Sequence, residues 1–192
     1  MLFTVCQYLR KRDEAVPAPK TVVPELDKAV SASDLSVPDG LNFAEYNTDL
    51  AGSSYLYDDY TVGEEIDHID GVTLSEAEHM MATRLWQNTA KVHFDATVRP
   101  DGARLIYGGH VISMARALSF NWLGNLQMLA AINGGAHANP CFAGDTLRAW
   151  SEVLDKAETS IPSVGALRLR LVAHKGSTPN LRGGDGEYHR DV

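Results

Sequence analysis

Apolar and polar residues alternate most regularly in GALRLRLVAHK (165–175). Leu167, Leu169 and Leu171 fall on one face, and Arg168, Arg170 and Val172 on the other. A period of two predicts a strand with one buried face. DTLRAWSEVLDKAE (145–158) and MLAAIN (128–133) are further strand candidates. YTVGEEIDHIDGVTL (60–74) holds another around Glu65 to Ile69, closed by Asp70-Gly71.

The period changes in TLSEAEHMMATRLWQN. Ala77, Met80, Met81, Leu85 and Trp86 recur at helical spacing, and Thr73 or Ser75 followed by an acidic residue supplies a capping signal. These residues predict a helix over 75–87. In RLIYGGHVISMARALSFNWLGN, a strand-like piece from Leu105 to Tyr107 meets Gly108-Gly109. Val111, Ile112, Met114, Ala115, Leu118, Phe120 and Trp122 then cover most of a helix circumference. A helix that is apolar nearly all round is expected to be buried, and Gly124-Asn125 supplies its stop. A buried helix followed by strands predicts an α+β domain with an antiparallel sheet wrapped around one helix.

The ends carry less pattern. LFTVCQYL near the start is β-prone and ends in a basic cluster. Residues 13 to 53 are rich in Pro, Ala and Ser, which predicts an extended linker. The compact part is expected to begin near Tyr55. The tail GSTPNLRGGDGEYHRDV is Gly-rich and polar, and is expected to lack regular structure in part.

Composition narrows the function classes. Hydrophobic residues make up 44% of the 192 and charged residues 22%, an ordinary globular composition. A net charge of −8 argues against a nucleic-acid partner. No apolar run approaches the roughly 20 residues that span a bilayer, so no membrane partner is expected. Cys6 and Cys141 are distant in sequence and form no CxxC pair, so a cytoplasmic location is the default. The seven histidines show no HxH or HxxxH spacing, and no nucleotide-binding glycine motif appears; neither a metal nor a cofactor is expected.

His93, in QNTAKVHFD, is the residue on which function turns. From the residues alone it is an acid/base group, a metal ligand or a polar residue of a surface loop. An imidazole can serve as acid or base near neutral pH. Gly108-Gly109 before a helix suit close approach of a ligand to backbone N–H groups, although a tight strand-to-helix turn needs the same glycines.

Several segments resemble the MaoC-like hydratases, which have the hot-dog fold. They are YDDYTVGEEIDH, ATRLWQNTAKVHFD, RLIYGGHVISMARALSFN, AINGGAHANPCFAGDT, FAGDTLRAWSEV and VGALRLRLVAHK. The resemblance implies a curved antiparallel sheet around a long central helix. It also implies a hydro-lyase that reversibly adds water to mesaconyl-CoA, a branched dicarboxylic enoyl-CoA, to give β-methylmalyl-CoA. The family pattern has Asp, then His five residues later; here the Asp position is Asn88, which can orient water or substrate but cannot act as a base. His93 would then carry both proton steps, or a carboxylate such as Asp95 or Glu78 would assist. The resemblance places the oxyanion-binding amide at Gly109 and leaves a direct role for His110 open. Arg104, Lys91 and Arg84 flank the motifs as candidate cations for the substrate's free carboxylate. Arg168, Arg170 and Lys175 are candidates for the CoA phosphates.

The relatives that carry these motifs are tandems of two hot-dog halves. The resemblance therefore implies a second half: residues 1–12 as a strand remnant of the first, 13–54 as linker, 55–176 as the hot-dog domain lacking its last strand, and 177–192 as tail. It implies a homodimer or pairing with another hot-dog half. A hot-dog acyl-CoA thioesterase, or an inactive half that only pairs with a partner subunit, are the alternatives.

Overall fold

The computed structural model describes residues 25 and 27–176. The β-prone start with Cys6, most of the first part of the linker and the polar tail lie outside them. Three antiparallel strands form one sheet in the order β1-β2-β3: β1 Glu65–Thr73, β2 Thr146–Glu158 and β3 Gly165–Lys175. Four helices accompany them: α1 Thr48–Ala51, α2 Glu76–Leu85, α3 Gly108–Leu118 and α4 Phe120–Leu123.

β3 spans the stretch its alternation predicts, and pairs with β2 from Leu147↔Lys175 to Glu158↔Gly165. β1 runs further than expected. Asp70-Gly71 does not close it, because the chain takes up the irregularity as a bulge between Asp67 and Gly71 and pairing resumes through Thr73. Ile69 in that bulge has φ +61°, costly for a β-branched residue. Side chains brace it: Arg148 Nη1 donates to the Ile69 carbonyl at 2.5 Å, and Asn121 Nδ2 donates to the His68 carbonyl and to Asp70 Oδ2.

Two expected strands form no ladder. Leu105 to Tyr107 is an irregular strut, tied by Leu105 N–H to the Val92 carbonyl and by Ile106 N–H to the Cys141 carbonyl. Residues 128–133 have no sheet partner among the described residues and leave Met128, Leu129 and Ile132 exposed. A β-prone sequence makes a strand only where a neighbouring edge accepts its hydrogen bonds.

The core lies between the sheet and the α3–α4 rod. Tyr60, Ile66, Trp122, Leu123 and Val153 form one cluster, joined by Tyr55, Leu126, Leu167 and Leu169. Leu74, Ile106, Cys141 and Leu147 form a second against Val111 and Met114. Full burial of each such side chain contributes about 1.5–3 kcal/mol. The rod is not buried all round as its composition predicts: Ile112 and Phe120 are 53% and 55% exposed. Three strands cover one face of it and leave the opposite face open.

The core also holds a polar pair. His68 on β1 is fully buried, and its Nε2 lies 2.8 Å from Ser151 Oγ on β2. Burial, with the Arg116 guanidinium adding to it, pushes this imidazole down to about 4.

Candidate active site

α2 starts where Ser75 accepts from the Glu78 N–H and donates to the Glu78 carboxylate, as the capping signal predicts. Its orientation is not the one its apolar residues suggest. Met81, Leu85 and Trp86 are 70%, 76% and 50% exposed, whereas His79 and Thr83, one turn apart, face the protein interior and are buried. A polar stripe thus faces the site.

Past α2, Asn88 makes a tight turn: its N–H donates to the Thr83 carbonyl, and its Oδ1 accepts from Ala90 N–H at 2.9 Å. The turn leads into a 3₁₀ segment, Lys91–His93. His93 Nδ1 lies 2.8 Å from the Leu105 carbonyl oxygen. A carbonyl only accepts, so Nδ1 carries a proton, and in the neutral imidazole Nε2 keeps its lone pair. Leu105 N–H returns a bond to the Val92 carbonyl, so the His93 backbone and imidazole are held by the same strut.

That strut runs into α3. Gly108 and Gly109 open the first turn, where N–H groups have no carbonyl one turn behind them and the helix dipole is positive. At both positions a side chain would press on a neighbouring ring, which would have to move. A Cβ on Gly109 would sit 2.6 Å from the Tyr107 ring, and one on Gly108 would collide with the His137 imidazole. The Tyr107 ring lies 5.7 Å from that of His93 and 6.0 Å from that of Trp86. His93 and the glycine turn are therefore neighbours across Tyr107.

The remaining expected site residues divide into buried, paired and exposed groups. His110 is 3% exposed and its ring sits 6.3 Å from that of His79. Arg104 is ion-paired with Glu76. Asp95 accepts from the N–H and hydroxyl of Thr97, and the Thr97 hydroxyl and amide hold its carboxyl below the usual range. Glu78 is held in the α2 cap. Neither carboxylate is directed at His93 as a helper base. Lys91 and Arg84 are exposed and make no ion pair among the described residues. Arg170 pairs with Glu152 and Lys175 with Asp145, while Arg168 is exposed on β3. The described residues hold no cluster of three or more metal-ligating side chains and no helix long and apolar enough to cross a membrane. Sequence reasoning missed His79, the Leu105 carbonyl, Tyr107 and His137, which are linked only by contacts across the fold.

No family model matches the sequence. The chain superposes with a TM-score of 0.76 on a MaoC-domain protein of Chloroflexus aurantiacus, at 55% identity, covering 93% of this chain and 53% of that one. It superposes at 0.54 on a double hot-dog protein of Mycobacterium tuberculosis, at 24% identity, covering 80% of this chain and 44% of the other. This is a MaoC-like hot-dog fold.

The hot-dog chain is 69% identical over 182 residues to the mesaconyl-CoA hydratase of Cereibacter sphaeroides. It is 58% identical over 173 residues to the β-methylmalyl-CoA dehydratase of Chloroflexus aurantiacus. These alignments cover 94% and 87% of this chain but 53% and 49% of the relatives. The chain spans about half the length of the curated relatives it matches.

Proposed function

We propose that this hot-dog domain hydrates an enoyl-CoA thioester, with mesaconyl-CoA as substrate and β-methylmalyl-CoA as product, and catalyses the reverse dehydration. The observation that carries the reading is the His93 imidazole, oriented through Nδ1 by the Leu105 carbonyl, beside a glycine-opened helix N-terminus. The similarity to the two relatives supports the substrate class.

Water addition across a C=C conjugated to a thioester needs a base for water, an acid for the α-carbon and donors for the charge that grows on the thioester oxygen. In this reading His93 Nε2 takes a proton from water as the oxygen attacks the β-carbon. The electron pair moves onto the thioester oxygen, where the Gly109 amide, aided by Gly108 and the α3 dipole, holds it. The imidazolium then returns a proton to the α-carbon. The Nδ1–H bond to Leu105 persists in both protonation states, so the ring keeps its place through the cycle. Asn88 shapes the turn that presents His93. Lys91, two residues from His93, is the better partner for the substrate's second carboxylate, because Arg104 is already engaged by Glu76.

The catalytic unit in this reading is residues 55–176, preceded by a linker and located in the cytoplasm. It acts as half of a pair, with a second copy or another hot-dog half covering the open apolar surface. The experiment is hydration of mesaconyl-CoA by the chain, followed through the enoyl-thioester absorbance and free thiol together. Loss of the band without thiol release supports a hydratase; thiol release supports a thioesterase.

A further inference from the structure

His79 is a fully buried histidine for which the reaction above has no use. Its Nε2 lies 2.9 Å from the Tyr107 backbone N–H, which donates to it. Nε2 is therefore unprotonated and the proton sits on Nδ1. Nδ1 is buried and has no hydrogen-bond partner among the described residues. An unpaired buried donor is unfavourable. An apolar side chain would fill the same space without it, so filling space does not account for a histidine here. What the imidazole supplies is an acceptor.

Where that acceptor points is specific. Tyr107 is the N-cap residue of α3, and no side chain caps that helix end. The Tyr107 carbonyl accepts from the His110 and Val111 N–H groups, while its N–H is held from α2 by His79. Each residue of the strut is thus fixed by a different part of the fold: Leu105 by the His93 loop, Ile106 by Cys141 and Tyr107 by His79. Glycine adds no stiffness of its own to the next two positions.

We propose that His79 is a positioning residue: its Nε2 fixes the Tyr107 amide and thereby sets the Gly108-Gly109 turn relative to the His93 imidazole. The inference rests on the enoyl-CoA hydratase reading for its kinetic consequence, but not for its structural one. A displacement on the order of 1 Å between a developing charge and its donors costs roughly 100-fold in rate.

The test uses the full chain with His79→Gln, His79→Asn and His79→Leu. A glutamine oxygen reaches about as far as Nε2, an asparagine oxygen only as far as Nδ1, and leucine offers no acceptor. Amide exchange at Tyr107 should be slow in the wild type and His79→Gln, and faster in His79→Asn and His79→Leu. The kcat for mesaconyl-CoA hydration should fall roughly 10- to 100-fold in His79→Asn and His79→Leu, recover in His79→Gln, and leave KM nearly unchanged. Ring ¹⁵N shifts of the wild type should show Nδ1 protonated. If His79→Leu does not fold, the Gln and Asn variants carry the comparison. Equal exchange in Gln and Asn variants, or a protonated Nε2, overturns the proposal. An inactive wild type with the predicted exchange pattern would instead overturn the hydratase reading and leave the His79 contact standing.

Discussion

The His93 imidazole donates from Nδ1 to the Leu105 backbone carbonyl at 2.8 Å. This bond joins the loop after α2 to the strut before α3, and fixes which ring nitrogen is left to do chemistry. A side chain–backbone bond of this type survives sequence change at position 105, so the orientation does not depend on the leucine side chain.

The two carboxylates that could assist His93, Asp95 and Glu78, are engaged elsewhere. Asp95→Asn and Glu78→Gln should therefore keep kcat/KM within about threefold of wild type, far less than the 10²–10⁴-fold expected for loss of an acid/base group. Steady-state hydration assays check this. A hundredfold loss in either would make that carboxylate the second proton carrier.

The two glycines should respond differently to alanine. Gly109→Ala meets the Tyr107 ring 2.6 Å away, inside the site. It should lower kcat at least tenfold, by displacing the donors from the developing charge. Gly108→Ala meets the exposed His137 imidazole. The Gly108→Ala/His137→Ala double variant should recover most of what Gly108→Ala loses, and a double-mutant cycle measures that coupling.

Stability should fall with acid through His68. Its folded value of about 4 lies below the ordinary 6.5 of the unfolded chain. The unfolded state thus binds more protons between those values, so stability is full above about pH 6.5 and declines as pH falls towards 4. Each unit is worth 1.36 kcal/mol, giving a loss of about 3 kcal/mol over the interval. Urea titrations at several pH values should show this slope in the wild type and a shallower one in His68→Gln.

The outward face of α2 carries Met81, Leu85 and Trp86, and the open side of the rod carries Ile112 and Phe120. Exposed apolar residues on this scale mark contact surfaces. The chain should sediment as a dimer or larger species, and Met81→Glu/Leu85→Glu should shift it towards monomer or precipitate. A stable wild-type monomer contradicts the pairing.

Much of the fold was legible because burial on one face leaves a period in the sequence. β2 and β3 show it, and so does the capped start of α2. The bulge around Ile69 was hidden because Asp70-Gly71 reads locally as a turn, and only the braces from Arg148 and Asn121 make it a continuation. Segment 128–133 reads as a strand because propensity does not reveal whether an edge is present to pair with. His93 and the glycine turn stood out by residue type and resemblance. His79 did not, because its neighbours Met80 and Met81 dominated the helical pattern while the polar stripe faced inward.

The most direct test of the account is the rate of mesaconyl-CoA hydration by this chain beside His93→Ala. The account predicts loss of the enoyl-thioester band without free thiol, and a rate lower by 10²–10⁴-fold in the variant. Equal rates in the two proteins, or thiol release in step with loss of the band, would contradict it.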